Sequence, residues 1–161
     1  MTKPTTPSPV VFEPEFLDGM RKIFEDMIVF NKVLGLRLTH VGEQHAEAAL
    51  DMRNELVGHF AYNRIHGGVI SASLDALGGL AVMGAIGARH MDESPAQRLQ
   101  RFAKLGTIDL RVDYLRPGIA DSFVLRAEVM RLGSRVASTR MEFRDGSGKL
   151  LSTGAAAYIV S

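Results

Sequence analysis

The run from Gly67 to Ala88 constrains this chain more than any other stretch. Val69, Ile70, Ala72, Leu74, Ala76, Leu77, Leu80, Val82, Met83 and Ile86 spread apolar side chains nearly all round a helical wheel. A helix without a polar face belongs inside a protein or a membrane. A bilayer span needs about 20 apolar residues, and the run is long enough. Against a span, Asp75 in mid-helix costs roughly 2.5–3.5 kcal/mol, and six glycines dilute the apolar signal. The run therefore reads as a buried core helix, with no membrane insertion. Asp75 is its only charge before Arg89. A buried carboxylate without a partner is expensive, so it is paired, protonated or functional. Gly67 and Gly68 let a ligand come close to the first N–H groups of the helix. An electropositive helix start with a lone acid two turns on makes a candidate reaction centre. The plainer alternatives are a core helix whose Asp75 only satisfies a neighbour, and a Gly-Gly pair that only makes a turn.

At 161 residues, one domain with a substantial core is expected. Apolar content of 46% and charged content of 23% are those of a globular protein. A formal charge of +1 provides no electrostatic case for nucleic acid. Cysteine is absent, which excludes disulfides and thiolate chemistry and permits a reducing compartment. No basic, apolar and small-residue pattern of a secretory signal opens the chain, so a cytoplasmic location is expected.

Residues 1–12 read as a disordered tail, because residues 1–10 hold three of the six prolines. The remainder, 13–161, reads as the single domain. Behind Pro14, the residues Phe16/Leu17, Met20, Ile23/Phe24 and Met27/Ile28 recur at helical spacing and predict one amphipathic helix. From Leu34 the period becomes two, and a turn at Gly42-Glu43-Gln44 makes a hairpin. Residues 54–65 read as irregular and polar. Residues 89–104 read as a mobile connector or short surface helix, whose Arg89, His90, Arg98, Arg101 and Lys104 make a solvated basic face. Four further strands follow, the first alternating Ile108, Leu110, Val112 and Tyr114, and their short turns predict a meander. The simplest packing is α+β: a single antiparallel six-stranded sheet wrapped around the central helix, with an extra N-terminal helix. Its edge strands need covering, and symmetric dimerisation would cover them.

Specific residues carry a resemblance. Asn54-Glu55-Leu56-Val57-Gly58, then His66-Gly67-Gly68, then Asp75 nine residues after that histidine, form one set. Thr107-Ile108-Asp109-Leu110 leading to Tyr114-Leu115-Arg116-Pro117-Gly118, and a Gly133-Ser134-Arg135 turn, form another. With these the chain resembles the hotdog-fold acyl-CoA thioesterases of the PaaI-like group, over roughly residues 34–160. The resemblance implies that Gly68 polarises the thioester carbonyl through its backbone N–H. It implies that Asp75 acts as general base or nucleophile, on a substrate shared with a neighbouring subunit in a homodimer or dimer of dimers. It also implies that Thr107 positions water. A helix start does favour developing negative charge, and an apolar setting strengthens a carboxylate as a base. Where many members carry a loop asparagine this chain has His59, with Asn63 nearer the motif as a substitute if the loop is rearranged. His66 is read as structural, bonding loop backbone and lying with Gly67 beside the substrate.

The coenzyme A phosphates of such a substrate call for cations and free N–H groups. Arg116, Arg131, Ser134 and Arg135 are the candidates. No metal or cofactor is expected, coenzyme A being part of the substrate. The implied reaction is hydrolysis of an acyl-CoA, with a medium or long acyl chain compatible with Leu77, Leu80 and Met83. Two alternatives stand beside it. One is an acyl-thioester hydratase or dehydratase, which would pair Asp75 with His59 or His66; the other is a non-catalytic acyl-CoA-binding module.

Overall fold

The computed structural model describes residues 9–161. In chain order these form α1 (Pro14–Lys22), one π-helical turn (Ile23–Met27), α2 (Val29–Leu34), β1 (Arg37–Val41) and β2 (His45–Asp51). Next come β3 (Val57–His59), β4 (Arg64–Ile65), α3 (Gly67–Arg89) and α4 (Pro95–Gln100). The strands β5 (Gly106–Tyr114), β6 (Ser122–Leu132), β7 (Val136–Asp145) and β8 (Leu150–Ile159) complete the domain. Six strands make one antiparallel sheet in the order β1-β2-β6-β7-β8-β5, and β3 pairs with β4 separately.

Period-two alternation turns Ala46, Ala48 and Leu50 of β2, Phe123, Leu125 and Ala127 of β6, and Ala137, Met141 and Phe143 of β7 to one face. That face packs on α3, whose residues from Leu77 to Gly87 are all buried. The helix is long and apolar enough to cross a membrane, yet most of it is enclosed by this sheet. Close packing depends on its glycines. A Cβ on Gly84 would stand 2.6 Å from the Gly42 carbonyl oxygen, and one on Gly78 would collide with the Tyr158 hydroxyl. This is the hotdog fold.

Several expectations are corrected. The described part of the tail is not loose: Phe12 is buried, with its ring 4.8 Å from that of Phe16; residues 1–8 lie outside the described residues. The N-terminal helix is two helices. Phe16, Met20 and Phe24 keep the buried stripe, but the backbone becomes extended at Ile28 and leaves Met27 exposed. The four C-terminal strands are not one meander. β5 lies outside β8 instead of beside β6, and residues 115–121 cross back, held by Ile65 N–H to Gly118 O and Met52 N–H to Asp121 O. Residues 54–65 contain two short 3-10 turns and the β3–β4 pair.

The connector is ordered as well. Ser94 and Gln97 form a capping box that starts α4 with Pro95 in its first turn. Arg98 is not on a solvated face: it is fully buried, 2.5 Å from Glu13 and stacked over the Phe16 ring. A guanidinium is accommodated there because a carboxylate and an aromatic face meet it.

Candidate active site

Two features of α3 define the site. At its start, His66 is the N-cap, and its Nδ1 accepts the Gly68 N–H at 2.8 Å. The N–H groups of Val69 and Ile70 donate to the His66 carbonyl. Among the described residues, the Gly67 N–H alone in this first turn has no acceptor. Gly68, expected to be the carbonyl donor, is therefore already engaged, and the free donor is one residue earlier. Tyr114 holds the turn in place, its hydroxyl donating to the Gly67 carbonyl at 2.9 Å. Gly58 is required beside it, because a Cβ there would lie 2.5 Å from the His66 Cα. His66 thus bonds its own helix start through Nδ1.

Two turns on, Asp75 leaves the core face and is half-buried. Thr107 at the start of β5 donates its hydroxyl to Asp75 Oδ1 at 2.9 Å. The pair comes together because β5 lies beside β8, across from α3. Tyr158 of β8 donates its hydroxyl to the Asp75 carbonyl at 2.9 Å. Burial, with Asp75 close by, drives the Tyr158 phenol well above its ordinary range, so it remains a neutral donor.

These two features open into different clefts. Gly67 lines one of about 380 Å³ with Ile70, Tyr114, Leu115, Arg64 and Arg116. Asp75 and Thr107 line an apolar hollow of about 260 Å³ with Ala72, Ala76, Phe102 and Leu105. Along α3 the Gly67 N–H and Asp75 are eight residues, or about 12 Å, apart.

The other candidates are distributed unevenly. Arg116 sits by the Gly67 cleft, bonded to the Leu150 carbonyl at 3.0 Å. Arg131, Ser134 and Arg135 lie near the opposite end of α3, where Arg89 bonds the Leu132 and Gly133 carbonyls, about 33 Å from Gly67 for a 23-residue helix. One chain does not bring them to the motif. His59 stacks against Phe60 and Tyr62, and its Nδ1 is buried without a protein partner. Asn63 sits at φ 48, a left-handed position that ends the preceding turn, and this explains its residue type. Neither lines the Asp75 hollow.

Sequence reasoning missed Tyr158 and Arg64, and it gave Tyr114, part of the matched strand end, no role. The one signal for Tyr158 was a large inward strand residue to match the small Gly78-Gly79 pair, legible only once the register is known. Among the described residues, no group of three His, Asp or Glu side chains is placed to hold a metal ion.

Known proteins are similar to this chain over nearly its whole length. The medium/long-chain acyl-CoA thioesterase YigI of Salmonella typhimurium is 35% identical over 153 residues, covering 95% of this chain and 99% of that protein. YigI of Escherichia coli K12 is 34% identical over the same length. A solved structure from Shewanella oneidensis, described as related to the thioesterase superfamily, superposes with a TM-score of 0.85 at 33% identity. It covers 93% of this chain and all of that one. A family model matches residues 62–152, which span the His66-Gly67-Gly68 turn, Asp75, Thr107 and the strands that hold them, and by that match the chain belongs to the thioesterase superfamily.

Proposed function

We propose that this protein hydrolyses acyl-CoA thioesters to a free acid and coenzyme A, with Asp75 as general base. The observation that carries the reading is the Asp75 carboxylate, oriented by Thr107 at the edge of an apolar hollow. Thr107 occupies Oδ1 and leaves Oδ2 to take a proton from water. The water oxygen adds to the thioester carbonyl carbon, and the oxyanion is stabilised by an N–H at a helix start. We assign that N–H to Gly67, since Gly68 is committed to His66. Collapse expels the coenzyme A thiolate, which takes the proton held by Asp75, and leaves the carboxylic acid with the base restored. The reaction uses water and side chains, with no metal or cofactor.

The acyl group enters the Asp75 hollow in this reading, consistent with the medium/long-chain thioesterases to which the chain is similar. Arg64 and Arg116, beside the Gly67 cleft, are the cations for coenzyme A phosphates. His59, with its unsatisfied Nδ1, supports a substrate contact from the loop. The two separate clefts favour a homodimer, in which Gly67 of one protomer works with Asp75 of the partner subunit. β5 is the edge that would join them: nine residues long, paired on one side only, with Ile108 and Tyr114 more than half exposed. The absence of cysteine suits a reducing cytoplasm.

The hydratase reading has less support, because no histidine lines the Asp75 hollow. The test is a panel of acyl-CoAs of increasing chain length, together with aryl-CoAs, assayed for release of the coenzyme A thiol. Turnover on acyl-CoAs is expected. Tight binding of all of them without thiol release would overturn the enzyme reading in favour of a binding module.

A further inference from the structure

The segment between α1 and β1 does something the core does not require. The backbone breaks at Ile28, where φ is −80° and ψ is 93°. Beyond this break the chain is pinned twice. Asn31, buried to 2%, donates its Nδ2 to the Phe24 carbonyl at 3.0 Å. The Arg53 guanidinium bonds the Val33 carbonyl. Beside these two fastenings Phe30 is held in place yet is 58% exposed. Met27, Val29 and Val33 beside it are exposed too, but Phe30 differs from them in what it lines. It lines the Asp75 hollow, and it also lines a second one of about 620 Å³ that contains His66, Gly68 and Val69.

The two hollows follow one face of α3. Gly68, Ala72, Ala76 and Gly79 recur on it at helical spacing, all small, and Asp75 stands on its border. Ile28 and Phe30 cover this face from one side, Phe102 and Leu105 from the other. The result is an apolar groove that begins at the carboxylate and is interrupted at Phe30.

We propose that Phe30 is the gauge of acyl-chain length: its ring closes the groove beyond Asp75 and sets how many methylenes are accepted. This rests on the acyl-CoA thioesterase reading and deepens it. The Asp75 hollow, at about 260 Å³, is the smaller of the two. Removing the ring joins the hollow to its larger neighbour and gives a longer chain somewhere to go.

The test uses Phe30→Ala and Phe30→Trp in the full chain, with two measurements. The first is kcat/KM across saturated acyl-CoAs of increasing length. The second is binding of non-hydrolysable S-alkyl-CoA thioethers of the same lengths, by calorimetry. Phe30→Ala is expected to move both optima to longer chains, gaining about fourfold for each newly buried methylene. Phe30→Trp is expected to move them to shorter chains. The gain belongs in KM and thioether affinity, because Phe30 acts on the acyl chain and not on the reacting carbonyl. Unchanged length profiles in both variants would overturn the proposal. Absence of turnover in every protein would refute the hydrolase reading instead, and the thioether profiles would still decide the role of Phe30.

Discussion

Asp75 and Thr107 test the chemistry at the scale of single residues. Asp75→Asn keeps the shape of the side chain and an acceptor for the Thr107 hydroxyl, but removes the charge that takes the proton. Turnover is expected to fall by about 10²–10⁴-fold, with acyl-CoA binding retained, because the carboxylate acts mainly in the transition state. Wild-type rates in that variant would remove Asp75 from the mechanism. Thr107→Val deletes the hydroxyl that lies 2.9 Å from Asp75 Oδ1. Hydrogen bonds to charged groups are worth about 1.5–3 kcal/mol, so kcat should drop roughly tenfold to hundredfold while KM stays put. Thr107→Ser should restore most of it. If valine and serine behave alike, the hydroxyl is not what orients the carboxylate.

At the scale of elements, α3 can sit against the sheet only through its glycines, and they are not equivalent. Ala is the better helix former by about 0.8–1.0 kcal/mol. At Gly84 that gain meets a backbone oxygen 2.6 Å away, which cannot rotate aside. Overpacking of this kind costs about 1–3 kcal/mol, so Gly84→Ala should lower the urea midpoint. Gly79→Ala meets the flexible end of Leu105 at 3.3 Å and the Tyr158 ring at an ordinary 3.7 Å, and should be near neutral. The clasp between the residue preceding α1 and α4 has a pH signature. Its hydrogen bond with Arg98 holds the Glu13 carboxyl below its ordinary value of 4.5. A carboxyl with a depressed folded value stabilises the protein above its unfolded value, and that stabilisation disappears as pH falls through the folded one. The wild-type melting temperature should therefore fall as the pH drops below about 4.5, whereas Glu13→Gln should start lower at neutral pH and change less across that window. Parallel curves for the two proteins would show that the pair is not coupled to folding.

At the scale of the molecule, one exposed edge organises the expectations. β1 is short and carries the Arg37–Asp51 ion pair to its neighbour, whereas β5 is nine residues long with an unpaired outer side. Such an edge pairs with another chain unless something blunts it. A dimer or dimer of dimers is expected by light scattering at micromolar concentration. Ile108→Glu places a charge on the exposed edge, 56% accessible at that residue, and should yield monomers. Those monomers should lose hydrolysis even though Asp75 and Thr107 still meet within one chain. An active monomer would sink the shared site and require Gly67 and Asp75 to work together across about 12 Å of a single helix.

Much of this was legible in the residues themselves, for reasons local to them. Apolar side chains all round 67–88 leave no face for water, so burial of α3 follows from the hydrophobic effect alone. Alternation in 45–52 turns that strand inward without knowledge of its partners. The lone charge at Asp75 marked the candidate site because an apolar helix tolerates a carboxylate only for a reason. Other features depend on contacts between residues far apart in the chain, which local pattern does not encode. Arg98 reads as a surface cation until Glu13, 85 positions away, is found against it. The strand order was misread because short turns favour neighbours, while the crossing from β5 to β6 is held by bonds to residues 52 and 65. His66, by capping its own helix, decides that Gly67 and not Gly68 has the free N–H. Sequence patterns report which side chains avoid water; which hydrogen-bonding groups are already satisfied, and which remain for a substrate, is settled only when distant segments meet.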